Sequence, residues 1–74
     1  MEWFTFSFTE NRDRNFVPAY VIIDYAKEHH LDYYWFYDVL ILKYRGDFFR
    51  YSHFIIDHRK DGTETVTIFL RKYD

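Results

Sequence analysis

The sequence predicts an α+β fold: a four-stranded mixed or antiparallel sheet with one helix packed on one face, in the order β-α-β-β-β. Three observations carry this. Residues Trp3–Thr9 alternate, with Phe4, Phe6 and Phe8 on one side and Thr5, Ser7 and Thr9 on the other, as a half-buried strand does. After Pro18 a single stretch repeats its apolar residues at helical spacing. From Tyr33 to Lys72 the chain is rich in β-branched and aromatic residues, broken only at Gly46 and Gly62, and reads as a three-stranded meander.

The elements follow in order. After the first strand, Glu10–Asn15 is a charged, solvated loop. Asn15 or Phe16 ahead of Pro18 marks the helix start, since proline fits the first turn, where its missing N–H is not needed. Val21, Ile22, Tyr25, Ala26 and His29 form the apolar stripe, and the helix ends near Leu31-Asp32. Tyr33–Tyr44 reads as one strand, Phe48–His58 as the next and Thr63–Lys72 as the last. A strand–helix–strand unit crosses over to a parallel strand. The first strand should therefore run parallel to the second or to the fourth.

Register decides which side chains share a face. A two-residue turn with Gly46 at its first central position sets Val39 opposite Phe54 and Ile41 opposite Ser52. At the second turn, a three-residue loop with Gly62 in the left-handed region sets Ile56 opposite Val66 and Phe54 opposite Ile68. This gathers Val39, Ile41, Phe54, Ile56, Val66, Ile68 and Leu70 on face A, under the helix and beside Phe4, Phe6 and Phe8. Face B then carries Tyr34, Phe36, Asp38, Leu40, Leu42 and Tyr44, then Phe49, Tyr51, His53, Ile55 and Asp57, then Thr65, Thr67, Phe69 and Arg71. An antiparallel sheet usually turns a polar face to water. Face B is not polar, and one helix cannot cover both faces.

Composition narrows the function. The 74 residues make one domain, 1–74, with a modest core. Nineteen aromatic rings exceed what one core layer of so short a chain holds. The absence of Cys excludes a disulfide framework and a thiolate zinc site, and fits a cytoplasmic protein. No apolar run is long enough to span a membrane, and the N-terminus lacks a signal-peptide pattern. The net charge of −2 is unevenly spread: −4 over residues 1–42 and +3 over residues 43–73, with Asp74 completing the sum.

The sequence carries few marks of catalytic chemistry. The four histidines match no established ligand spacing: His29 and His30 diverge around a helix, and His53 and His58 fall on opposite faces of a strand. Both glycines serve turns, which leaves no phosphate loop. The expectation is no enzyme, no metal and no cofactor. Interface centres are enriched in Tyr, Phe, Trp and Arg. The predicted contact residues are Phe36, Leu40, Leu42, Tyr44, Phe49, Tyr51, His53, Ile55, Phe69 and Arg71, with Tyr51 beside Arg71 in a cation–π contact. The partner is a protein, either a second copy in a homodimer or a host protein, and no membrane is implied. A short, motif-free, tyrosine-rich chain has the style of a viral or mobile-element accessory or inhibitory protein. The alternative is single-stranded RNA or DNA stacked on the same face, and after it a metal-free ribonuclease built on His58, Arg59, Lys60, Tyr51 and Arg71.

Overall fold

A computed structural model describes residues 1–11 and 15–73. Within them the chain forms β1 (Trp3–Asn11), α1 (Pro18–Glu28), β2 (Tyr33–Phe36), β3 (Val39–Tyr44), β4 (Asp47–His58) and β5 (Thr63–Lys72). One helix against an antiparallel sheet is as the sequence predicts, but the sheet has five strands rather than four. Its order is β1-β5-β4-β3-β2, and every neighbouring pair is antiparallel.

The extra strand comes from a reversal inside the stretch read as one strand. Tyr37 and Asp38 lie at φ 47° and 65°, a two-residue turn in the left-handed region whose twist suits a hairpin. Phe36 therefore pairs with Val39, and Tyr34 with Ile41. This reversal also changes the sense of every later strand relative to β1. The last strand meets β1 antiparallel instead of parallel, while β1 and β2 run parallel at opposite edges of the sheet.

Both later turns are two-strand connections, and one of them departs from expectation. Tyr44 pairs with Asp47, so Arg45 (φ 50°) and Gly46 (φ 84°) are the central residues, and Ile41 faces Arg50 rather than Ser52. The second turn is the three-residue loop expected. The Arg59 N–H donates to the Thr63 carbonyl at 2.9 Å, Gly62 sits at φ 86°, Ile56 pairs with Val66 and Phe54 with Ile68. Asp61 accepts from the Thr63 hydroxyl at 2.5 Å and the Thr63 N–H at 3.0 Å, which holds its carboxyl below the ordinary value.

A β-bulge at Ser52 then redistributes the faces. Tyr51 pairs with Leu70 but His53 with Phe69, leaving Ser52 as the extra residue. Before the bulge, Phe49 and Tyr51 face the helix; after it, Phe54 and Ile56 do. Val39 and Ile41 are thus corrected to the open face, and Leu40, Leu42, Tyr44, Phe49 and Tyr51 to the helix face. Phe4, Phe6, Phe8, Val66, Ile68 and Leu70 lie on the helix face as expected.

The core sits between α1 and that face. Ile22 and Ala26 insert from the helix against Leu42, Phe49, Val66, Ile68 and Leu70, all fully buried. Phe4 joins the layers, with its ring 4.9 Å from Tyr44 and 5.8 Å from Phe49. The helix is shorter than the stripe suggests. His30 takes φ 57° and the Leu31 N–H donates to the Ala26 carbonyl at 2.8 Å, a left-handed cap that ends the helix at Glu28. The predicted loop Glu10–Asn15 falls partly in β1, through Asn11; residues 12–14 lie outside the described residues. Among the described residues no helix is long and apolar enough to cross a membrane.

Beyond Arg50, β4 pairs with β5 alone, because β3 turns back into β2. Hydrogen-bonded pairs alternate along an antiparallel ladder. Counting from Arg59–Thr63, the backbone groups of Phe54, Ile56 and His58 point away from β5, along an edge with no strand partner among the described residues.

Candidate binding surface

The open sheet face is built by register. From β1 to β2 it presents Trp3, Thr5, Ser7 and Thr9; Arg71, Phe69, Thr67 and Thr65; Phe48, Arg50, His53, Ile55 and Asp57; Lys43, Ile41 and Val39; and Tyr34 and Phe36. Tyr73 extends β5, its N–H donating to the Phe48 carbonyl at 2.7 Å. Two regions differ in chemistry.

Toward β2, a concavity of about 430 Å³ is lined by Tyr34, Trp35, Phe36, Ile41, Phe48 and Tyr73. Ile41 forms its buried floor and the five rings its rim; Trp35 is 58% exposed and Phe36 51%. The Tyr34 and Phe48 rings lie 6.3 Å apart. The lining is almost wholly apolar, and two cations flank it: the Lys43 ammonium lies 5.8 Å from the Phe48 ring centre and the Arg50 guanidinium 5.7 Å from that of Tyr73.

Toward β1, rings alternate with guanidinium groups. His53 stacks on Phe69 with centroids 4.6 Å apart and planes 5° from parallel, and its Nδ1 is 2.9 Å from the Ser52 hydroxyl. Trp3 meets both rings edge-on, at 5.7 and 6.1 Å. Arg71 lies 5.3 Å from the Trp3 ring centre, and Arg50 lies 5.7 Å from that of Tyr73. The expected Tyr51–Arg71 contact is corrected: the two side chains point to opposite sides of the sheet, and Arg71 takes Trp3 instead. Burial among the helix-side apolar groups raises the Tyr51 hydroxyl above its ordinary value.

The ten predicted contact residues thus divide. Phe36, His53, Ile55, Phe69 and Arg71 share the open face. Leu40, Leu42 and Phe49 are buried under the helix, so these three cannot meet a partner without unfolding, and Tyr44 and Tyr51 are half-buried beside them on the helix side. Sequence reasoning missed Trp3, Trp35, Ile41, Phe48, Arg50 and Tyr73. Trp3 was legible, since alternation puts it on the Thr5–Ser7 side of β1. Ile41 and Arg50 needed the bulge, which nothing local signals.

Among the described residues no three His, Asp or Glu side chains group as metal ligands. His58, Arg59 and Lys60 sit at the far hairpin tip, while Arg71 lies beside β1's first residue, so the ribonuclease set is not assembled. No family model, no curated protein and no solved structure matches the chain.

Proposed function

We propose that this chain is a non-enzymatic binding module that engages a protein through its open sheet face, with the apolar concavity between β2 and β4 as the contact centre. The observation that carries this is the concavity itself: one buried isoleucine floor, five rings, and almost no polar lining. Contiguous exposed apolar surface is unfavourable in water and marks interaction sites on small soluble chains. Rings gain most from burial, at a low cost in side-chain entropy. Such a module acts by occupying a partner's surface, in an accessory or inhibitory role, and its partner is a second copy or a different protein.

Sedimentation across a wide concentration range, combined with binding of a dye that reports exposed apolar surface, tests this reading. The expected result is dye binding by the free protein and concentration-dependent association, or dye displacement by a purified partner. Phe36→Glu should abolish both while leaving the melting temperature unchanged, because Phe36 lies on the open face outside the core. A monomer at every concentration that binds no dye and is unaffected by Phe36→Glu would overturn it.

A further inference from the structure

We propose that the ring-and-cation strip at the β1–β5–β4 end of the open face binds single-stranded nucleic acid. The strip adjoins the apolar concavity and shares Tyr73 with it, but the inference does not depend on the protein-binding reading. It begins with a register fact. Arg50 and Arg71 are directly paired residues on neighbouring strands and point to the same side. Like charges placed opposite one another destabilise a sheet. Both guanidinium groups are exposed, and among the described residues neither has a carboxylate partner on this face. Within the strands, the open face carries a single acid, Asp57, opposite Thr65. Thr65 is six residues along β5 from Arg71, a separation of about 20 Å. Asp47, opposite Tyr44, is engaged by Lys72 at 3.8 Å on the helix side. A pair of cations held together without a counter-ion is a site for an anion of two or more charges.

The surroundings specify the anion further. Each guanidinium lies over an aromatic ring, Arg71 over Trp3 and Arg50 over Tyr73, and both rings remain more than a third exposed. The stacked His53–Phe69 pair fills the space between β4 and β5 next to them. A strand of unpaired nucleotides supplies what this arrangement can hold: phosphates for the two arginines, and flat bases for Trp3 and Tyr73. A duplex would not serve, because its bases are already stacked and a sheet face this broad enters neither groove. The protein's overall charge of −2 does not oppose this, since Asp24 and Glu28 lie on the helix, behind the sheet. Of the aliphatic residues that the sequence assigns to face B, Leu40 and Leu42 are buried on the other side, and Ile55 stays on the open face beyond His53.

The test is titration of the full chain with a labelled oligouridylate of about twelve nucleotides, a length within the range one small sheet domain covers. Binding is expected at low salt, weakening as salt rises with a log–log slope of about −1.4, the value for two phosphates on a single strand. In a Trp35→Phe background, Trp3 is the one remaining tryptophan, and its fluorescence should be quenched on binding. Arg50→Ala, Arg71→Ala and Trp3→Leu should each weaken binding about tenfold, with Tyr73→Ala as a further ring variant at the end of the sheet. Lys27→Ala on the helix and Tyr34→Ala in the concavity should leave it unchanged. Circular dichroism melts confirm that each variant is folded. No binding at low salt, or equal binding by the folded arginine variants, overturns the proposal. So does equally tight binding of an oligoglutamate peptide of the same length, which would show charge attraction without stacking. None of these outcomes bears on association through the concavity.

Discussion

Leu42 shows how much a single residue's side of the sheet decides. It is fully buried against α1, paired across β3 and β4 with Phe49, which is buried too. Leu42→Ala should cost about 2–5 kcal/mol, the range for emptying a packed aliphatic site, read as a lower denaturation midpoint with an unchanged slope. Leu42→Glu should prevent folding, because a carboxylate there has no partner. Had Leu42 faced outward, the same change would have removed association and kept the fold. At this scale the sequence was informative wherever alternation ran unbroken. Phe4, Phe6 and Phe8 declared their side within β1, and Val66, Ile68 and Leu70 did so within β5. Leu40 and Leu42 could not, because Val39-Leu40-Ile41-Leu42 is apolar on both parities and alternation has nothing to select.

Between residues and fold stand the turns and the bulge. The Asp61-Gly62 turn was legible because glycine next to an aspartate fits a left-handed loop position. The Tyr37-Asp38 turn was not, because Asp38 tolerates a positive φ but Tyr37 is a bulky side chain that rarely adopts one, and no glycine marks the place. A non-glycine residue in this region carries strain of about 1–2 kcal/mol. Replacing the pair with Asn-Gly, the pair this turn type favours, should therefore stabilise the protein by about 1 kcal/mol or more, measured as a higher midpoint in urea. The gain should come with the sheet unchanged, since Tyr37 is 87% exposed and makes no core contact. Ser52 is the second hidden element. A bulge adds one residue to one strand and leaves no composition mark. It moved Phe49 and Tyr51 under the helix while keeping His53 and Ile55 outside, which is why half of the predicted contact set was right and half was core.

Across the whole molecule, the long β4–β5 hairpin sets the shape. Twelve residues of β4 span about 40 Å when extended, close to the longest dimension of 38 Å. One end of the sheet is five strands wide and backed by the helix; the other is narrower, with β4 exposed beyond Ser52. Chain charge follows the same division: the acidic first part supplies the helix, and the basic later part supplies the arginines of the open face. That division was legible from composition, although the strand to which each arginine belonged mattered more than the total. The unpaired edge of β4 carries a cost for the molecule in crowded solution. Phe54-Ile55-Ile56 is a short greasy segment beside vacant backbone donors and acceptors, the chemistry from which fibrils grow. Asp57, exposed next to it, acts as a gatekeeper by repelling an identical copy. Asp57→Val should shorten the lag before thioflavin-positive aggregates appear on gentle heating, whereas Ile55→Lys should lengthen it.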